Sequence, residues 1–284
     1  MPQILIIGAT GTVGRHVAAQ MPAGTRALVR NPQTTNLPSQ VELIQGDLTR
    51  TETLDPALAG IDTVFLVWTA PPAAAAPALD RILTHARRVV FLTAPWKNPH
   101  PLFQGSQPNP MTAMHADIEQ RIETSGRDYT FIRPGMFAAN ALNWWAPQIR
   151  SGVDIIRWPH STAPTAPIHE RDIAAVAVRA LLDIEHAGGD YTITGPESLT
   201  QSQQLEVIGR AIGRPLRMEE ISPEAAHQEL LPVIPAPGIR MLLRAWCAAI
   251  GQPALVTSTF QDVTGTPPRT FRGWASDHAS EFRA

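Results

Sequence analysis

Gln3-Ile4-Leu5-Ile6-Ile7-Gly8-Ala9-Thr10-Gly11-Thr12-Val13-Gly14 decides the fold. Gln3–Ile7 is read as a strand, its four residues after Gln3 a continuous run of Ile and Leu, the pattern of a parallel strand covered on both faces. The run stops at Gly8, and a helical pattern occupies Thr12–Gln20. Between them the glycines are spaced G-x-x-G-x-x-G. One permits a sharp turn, one lets backbone approach a pyrophosphate, and one lets helix and strand pack closely. The helix N-terminus adds N–H donors and the positive end of its dipole. Gly8, Thr10, Gly11, Thr12 and Val13 are therefore assigned to a dinucleotide cradle. No Gly-Lys-Ser/Thr follows, which excludes a kinase-type phosphate loop.

Working outward, short apolar runs alternate with helical patterns, as in a doubly wound α/β parallel sheet. Strands are expected at Thr25–Arg30, Val41–Gln45, Asp62–Val67, Arg88–Thr93 and Tyr129–Arg133, with helices at Thr51–Ala59, Leu79–Ala86 and Thr112–Thr124. Ala94–Pro110 is a Pro-rich loop containing Pro95, Pro99, Pro101, Pro108 and Pro110, long enough to suggest a functional segment. Further on, Asp172–Glu185 and Thr200–Ile212 read as helices flanking a short strand at Asp190–Thr194. Ala225–Leu231 and Ile239–Ile250 read as an apolar helical pair joined by Pro232, Pro235 and Pro237, either a lid or a partner surface. Pro268–Phe282 reads as a polar helix. The expected division is a dinucleotide-binding unit over 1–150, with 165–195 contributing, and a smaller C-terminal substrate or lid unit over 196–284.

Composition bounds the function. The chain has 284 residues, 44% hydrophobic and 17% charged, with a net charge of -2, so nothing draws it broadly to nucleic acid or anionic lipid. Its single cysteine, Cys247, excludes an internal disulfide and a thiolate-rich metal site. No apolar run approaches the roughly 20 residues of a membrane helix, and no charged segment of a signal peptide precedes the first strand. A soluble cytoplasmic protein, monomeric or homodimeric, is expected. The nine histidines never fall within five residues of one another, and His169-Glu170-Arg171-Asp172-Ile173 lacks a second histidine, so no metal is expected.

A carboxylate about 20 residues past the glycine loop would bind the ribose hydroxyls of NAD. Here Arg30 stands 22 residues after Gly8. Its planar fork suits a 2′-phosphate instead, which favours NADP(H) over NAD. Asp47, at the end of the third strand, is placed beside adenine with Leu48, although turn formation would also explain an acid there.

Ile7-Gly-Ala-Thr-Gly-Thr-Val-Gly14, Ala27-Leu-Val-Arg30-Asn-Pro32, Gln45-Gly-Asp-Leu48 and Tyr129-Thr-Phe-Ile-Arg-Pro-Gly-Met-Phe-Ala-Ala-Asn140 resemble the NmrA-like branch of atypical short-chain dehydrogenase/reductases, as does Thr264-Gly-Thr-Pro-Pro-Arg-Thr-Phe-Arg-Gly-Trp274. The resemblance is weakest over about 215–260. It implies a Rossmann-type sheet, NADP(H) across its C-terminal edge, and a smaller C-terminal substrate-binding domain. Members include quinone reductases, isoflavone-type reductases and regulators that bind the dinucleotide without known turnover.

Short-chain reductases usually protonate the carbonyl through a Tyr-x-x-x-Lys pair. Only Tyr129 and Tyr191 exist, followed four residues later by Arg133 and Gly195, and the only lysine is Lys97, preceded by Thr93. Aligned by the helix ending at Gly126, the pair's positions fall on Met111 and His115, and the usual serine is represented by Thr93. Three readings stay open: dinucleotide binding without chemistry, His115 as acid or ribose anchor, or an acceptor that carries its own charge or supplies its own proton. Such an acceptor needs only positioning and dryness.

Trp68, Trp96, Met111, Met136, Phe137 and Asn140 are assigned to a wall for a flat aromatic substrate, since ligands bind beyond the carboxyl ends of strands. Trp144, Trp145 and Trp158 fit either this wall or the seam between domains. Thr69 and Thr93 are placed near the ribose or nicotinamide, and Pro134 to Phe137 behind the ring. The expected function is an NADPH-dependent ketoreductase acting on an angucyclinone-like aromatic polyketide, of the kind used in antibiotic biosynthesis. A quinone reductase and an NADP(H)-sensing regulator are the alternatives.

Overall fold

In the computed structural model, residues 3–105, 107, 109–231, 234 and 236–283 are described. Pro108, Pro232 and Pro235, which entered the sequence reading, lie outside the described residues. The first half runs β1 (Ile4–Ile7), α1 (Gly14–Gln20), β2 (Arg26–Val29), β3 (Glu42–Gln45), α2 (Asp55–Leu58), β4 (Thr63–Val67), α3 (Ala75–His85), β5 (Arg88–Leu92), α4 (Pro101–Gly105), α5 (Pro110–Thr124) and β6 (Asp128–Pro134). The second half runs α6 (Asn140–Trp144), α7 (Ala146–Arg150), β7 (Ile155–Trp158), β8 (Pro164–Thr165), α8 (Glu170–Leu182), β9 (Asp190–Ile193), β10 (Leu199–Thr200), α9 (Gln201–Ile212), β11 (Arg217–Glu220), α10 (Pro223–Glu229), α11 (Ala236–Ala249), α12 (Thr259–Thr264) and α13 (Phe271–Asp277).

Seven strands form one parallel sheet in the order β3-β2-β1-β4-β5-β6-β9. β1 is an unbroken apolar run buried along its whole length, and β5 is buried likewise, its apolar Val89–Leu92 following a buried Arg88. The order reverses direction at β1 and β4, so the topological switch point lies at the glycine loop. One face carries α1, α8 and α12, whose buried Val17, Ile173 and Phe260 share a core with Ile4 and Ile6. The other carries α2, α3 and α5, packed on Leu5, Ile7 and Phe91.

A separate core fills the C-terminal side, around Trp145, Trp158, Trp246 and Trp274. Ala138 to Trp158 packs there, and Phe260 and Val263 pack on the sheet side. Trp145 and Trp158 are fully buried and meet Trp144 and Trp246 in edge-on and tilted contacts at centroid distances of 5.5 to 6.5 Å, so Trp145 and Trp158 fill the interior rather than a ligand wall. Trp158 Nε1 donates to Gln201 Oε1 at 2.7 Å.

Three further expectations change. The Pro/Ala-rich stretch before Leu79 is already helical from Ala75, because a proline in the first turn needs no N–H partner. The Pro-rich loop contains the short helix α4. The C-terminal segment is not one polar helix: α13 ends at Asp277, and Phe271, Trp274 and Phe282 are buried.

That C-terminal segment is fastened by charge. Glu170, at the start of α8, accepts from Trp274 Nε1 at 3.1 Å and from His278 Nε2 at 2.8 Å, while His169 Nδ1 lies 3.3 Å away. His278 Nδ1 meets Glu281 at 2.5 Å. Spacing along the chain gave no hint of this His169–Glu170–His278 group, which forms only in three dimensions. Burial alone would raise the Glu170 carboxyl, but hydrogen bonds from His169 and His278 outweigh it and hold the group well below its ordinary range. The Glu170 hydrogen bond, opposed by burial and reinforced by Glu281, raises the His278 imidazole above its ordinary value. A raised folded-state pKa contributes stability fully below the unfolded value and loses it as pH rises through the folded one. The denaturant midpoint of the wild type is therefore expected to fall from about pH 6 toward pH 9, and His278→Gln to flatten that decline. An unchanged slope in the variant would assign the pH dependence to another group.

Candidate active site

The carboxyl ends of six adjacent strands converge on one edge of the sheet. β1 is followed by Gly8, β2 by Arg30, β3 by Gly46-Asp47, β4 by Trp68-Thr69, β5 by Thr93 and β6 by Gly135. The first five of these bound a cleft of about 660 Å³, closed by Met111, Met114 and His115 from α5 and by Phe137. That volume suits a cofactor-sized ligand.

The glycine loop has no space for side chains. A Cβ on Gly14 would lie 2.1 Å from the Gly8 carbonyl oxygen, and one on Gly8, at φ +87°, would meet Val67 Cβ at 2.7 Å. Bare backbone thus faces the cleft at Gly8, Gly11 and Gly14, as close approach by a pyrophosphate demands. Thr10, Thr12 and Val13 line the same segment. Arg30 is exposed at the rim, and its guanidinium forms no ion pair among the described residues. Asp47 Oδ1 accepts from Thr49 N and Oγ1, both at 2.8 Å, and these bonds hold its carboxyl below its ordinary range. It is therefore a turn former as well as a lining residue, beside Leu48.

A smaller apolar pocket of about 140 Å³ adjoins this cleft, and Met111 lines both. Its walls are Trp96, Leu102 and Phe103, Pro134 to Met136, and Met241, Leu242 and Ala245 of α11. Trp96, Met111 and Met136 thus stand where a substrate wall was expected. Four assignments change. Trp68 lines the larger cleft, because it directly follows β4 at the switch point. Phe137, assigned to both groups, lines only the larger cleft, and Pro134, assigned to the cofactor, lines only the pocket, together with Gly135 and Met136. Asn140 starts α6 and reaches neither cavity. In the α10–α11 segment, Ile239, Leu242, Ala245 and Trp246 are buried, with α11 packed against α4 and walling the pocket.

Beneath both cavities lies a buried ionic cluster that the sequence reading missed. Glu119 and Arg133 are each about 1–2% exposed and form two hydrogen bonds, at 2.7 and 2.9 Å. Arg133 also binds Asp190 and donates to the Ala94 carbonyl at 3.0 Å. Thr93 Oγ1 donates to Glu119 Oε1 at 2.6 Å, and Trp96 Nε1 donates to the same oxygen at 3.0 Å. One carboxylate thus fixes a residue of the cleft and a residue of the pocket. Burial alone would raise the Glu119 carboxyl, but the bonds from Arg133, Thr93 and Trp96 hold it below its ordinary value. The pattern of Glu119 one turn beyond His115 gave no signal, since a single acid on a helix normally reads as a solvated face.

His115 lines the cleft with Nδ1 buried and without a partner among the described residues. Burial lowers its pKa, opposed by Glu119. A neutral imidazole is the stable form at neutral pH, which makes it a hydrogen-bonding group rather than a strong acid.

The NmrA-like family profile matches residues 2–251. The chain belongs to the NmrA-like family. Two relatives align along nearly the whole length. The (4-alkanoyl-5-oxo-2,5-dihydrofuran-3-yl)methyl phosphate reductase of Streptomyces griseus is 38% identical, covering 98% of this chain and 99% of its own. The NAD(P)H azoreductase of Xenophilus azovorans is 31% identical, covering 99% of each. Among solved structures, the NADPH-dependent quinone oxidoreductase of Escherichia coli complexed with NADPH superposes with a TM-score of 0.79 at 22% identity, covering 97% of this chain and 99% of that one. The Citrobacter sp. triphenylmethane reductase complexed with NADP(H) superposes at 0.80 with 18% identity, covering 98% and 100%. At those identities the two structures establish a shared fold. Among the described residues no helix is long and apolar enough to cross a membrane.

Proposed function

We propose that this NmrA-like protein is an NADPH-dependent reductase that delivers hydride to a conjugated, electron-poor acceptor without a Tyr–Lys pair. The carrying observation is Met111, which lines both a dinucleotide-sized cleft and a neighbouring apolar pocket. NADPH, when bound, supplies the hydride with its electron pair. Gly8, Thr10, Gly11, Thr12 and Val13 hold the pyrophosphate, Arg30 the 2′-phosphate, Asp47 and Leu48 the adenine end, and Thr69, Thr93 and His115 the ribose and nicotinamide end. Trp96, Met111 and Met136 hold the acceptor and keep water out, which strengthens every polar contact at the reacting atoms.

The missing tyrosine and the neutral His115 favour acceptors whose reduced form spreads its own charge. A quinone does so through its ring. The carbonyl of an angucyclinone-like polyketide does so through a neighbouring phenol. The printed names of the relatives, an azo reductase and a reductase of an acylated oxo-dihydrofuran, also point to conjugated acceptors. α11 serves this reading as a wall of the substrate side, which favours an enzyme over a regulator that docks through that helix.

The test is anaerobic NADPH oxidation against simple quinones, an enone lactone and a phenol-bearing tetracyclic ketone, with products identified by mass. Turnover of at least one, yielding a product two hydrogens heavier, supports the reading. Tight NADPH binding with no turnover of any contradicts it. A second prediction concerns cofactor choice. Arg30→Ala is expected to weaken NADPH binding about 10–100-fold, the scale of a lost charge-assisted contact, and to leave NADH binding unchanged. Equal losses for both, measured by fluorescence titration, would remove Arg30 from the 2′-phosphate.

A further inference from the structure

Thr112 stands in the apolar pocket with a hydroxyl whose hydrogen bonds are fixed from one side only. Asn109 caps α5, and its Oδ1 accepts from Thr112 N at 2.8 Å. That bond sets the orientation of the Asn109 amide, so its Nδ2 donates to Thr112 Oγ1, at 2.7 Å. Gln107 Nε2 donates to the same Oγ1 at 2.9 Å. A hydroxyl has two lone pairs and one proton. Here both lone pairs are taken, and the O–H has no acceptor among the described residues. Two donors on one oxygen also polarise its O–H bond and make it a better donor.

The surroundings give that proton a purpose. The Trp96 indole N–H is already committed to Glu119, and most of the remaining pocket wall is apolar. Thr112 is also adjacent in sequence to Met111, the residue shared with the dinucleotide cleft and the position where the usual tyrosine would fall.

We propose that the Thr112 hydroxyl is the hydrogen-bond donor to the acceptor's carbonyl oxygen, and that the substrates are conjugated carbonyl compounds whose oxygen sits at Thr112 and whose apolar body lies along Trp96, Met136 and Met241. This rests on the reductase reading above. As hydride adds to the conjugated system with its electron pair, the π electrons move to the carbonyl oxygen. Thr112 stabilises the charge there through its hydrogen bond, and solvent supplies the proton that completes the reduction on product release. Thr112 itself neither loses nor gains a proton over the cycle. Gln107 and Asn109 act as positioning residues that aim its O–H.

The experiment compares the full-length wild type with Thr112→Val and Thr112→Ser, using 2-methyl-1,4-naphthoquinone and a phenol-bearing tetracyclic ketone with NADPH. Thr112→Val keeps shape and removes the O–H. It is expected to lower kcat about 100-fold on each acceptor that the wild type reduces, with NADPH affinity unchanged. Thr112→Ser, which restores the hydroxyl, is expected to stay within a few-fold of wild type. Wild-type rates in Thr112→Val, or equal losses in the Ser and Val variants, would overturn the assignment while leaving the reductase reading intact. A wild type that binds NADPH and reduces neither compound would overturn the reductase reading itself, and the assignment with it.

Discussion

Arg133→Met is expected to lower folding stability by about 3–5 kcal/mol, because it leaves a carboxylate buried without its cation. Glu119 has side-chain exposure of 1%, and Arg133 supplies two of its hydrogen bonds. Lys97, 3.3 Å from Glu119 Oε2, is itself 43% exposed and screened by water, so it compensates little. Urea denaturation measures the loss directly. Adding Glu119→Leu to the Arg133→Met chain is expected to recover a large part of it, since an apolar pair of similar volume needs no desolvation. The double variant should still be a poor enzyme: Thr93 and Trp96 both hang on the removed carboxylate, one beside each cavity. A single-variant loss below about 1 kcal/mol would show that the cluster is held by something other than this ion pair.

Gly14→Ala is the second large effect. Its Cβ would sit 2.1 Å from the Gly8 carbonyl oxygen and 2.9 Å from Ala9 Cα, both backbone atoms that cannot swing aside as a side chain would. The loop must then open, and the N–H groups that face the cleft move with it. Dinucleotide affinity is expected to drop more than about 100-fold, or about 2.7 kcal/mol, in a chain that remains folded by circular dichroism. Gly8→Ala adds a positive φ to its contact with Val67 and should behave alike. An unchanged Kd in a folded Gly14→Ala protein would contradict the role given to the loop.

The parallel sheet was legible because its signals are local. Ile4–Ile7, Thr63–Val67 and Arg88–Leu92 are short runs, and each is a sheet strand. The glycine loop was legible for the same reason. Its three glycines sit at fixed spacing, and the steric cost of a side chain at Gly8 and Gly14 is the physical cause of that spacing. Residues that directly follow strands, such as Arg30, Asp47, Thr69 and Thr93, could be placed at the cleft from strand direction alone.

What was not legible depends on contacts between distant parts of the chain. Glu119 meets Arg133 and, through it, Asp190, while Glu170 meets Trp274 and His278 more than 100 residues away. In sequence each is an ordinary acid near a helix start or middle. The tryptophans were ambiguous because apolar aromatic residues serve a core and a ligand wall equally well. Burial separates Trp145 and Trp158, which close the interior, from Trp96, which stays at the pocket. The cavities reached by Pro134, Phe137 and Asn140 were not legible because they depend on how the chain leaves β6 and enters α6, which composition does not carry. Thr112 went unnoticed because its meaning lies in two amide donors, Gln107 and Asn109, that arrive from the turn before α5.

The central claim is that hydride passes from NADPH to a conjugated acceptor at the junction beside Met111. Its most direct measurement is isotopic. NADPH carrying deuterium at C4 of the nicotinamide, in one stereochemical form and then the other, is incubated without oxygen with the protein and an enone or ketone acceptor, and the product is weighed. One deuterium at carbon in the product from one form, and none from the other, is the expected result. NADPH bound tightly, with no deuterium reaching any acceptor from either form, would contradict it.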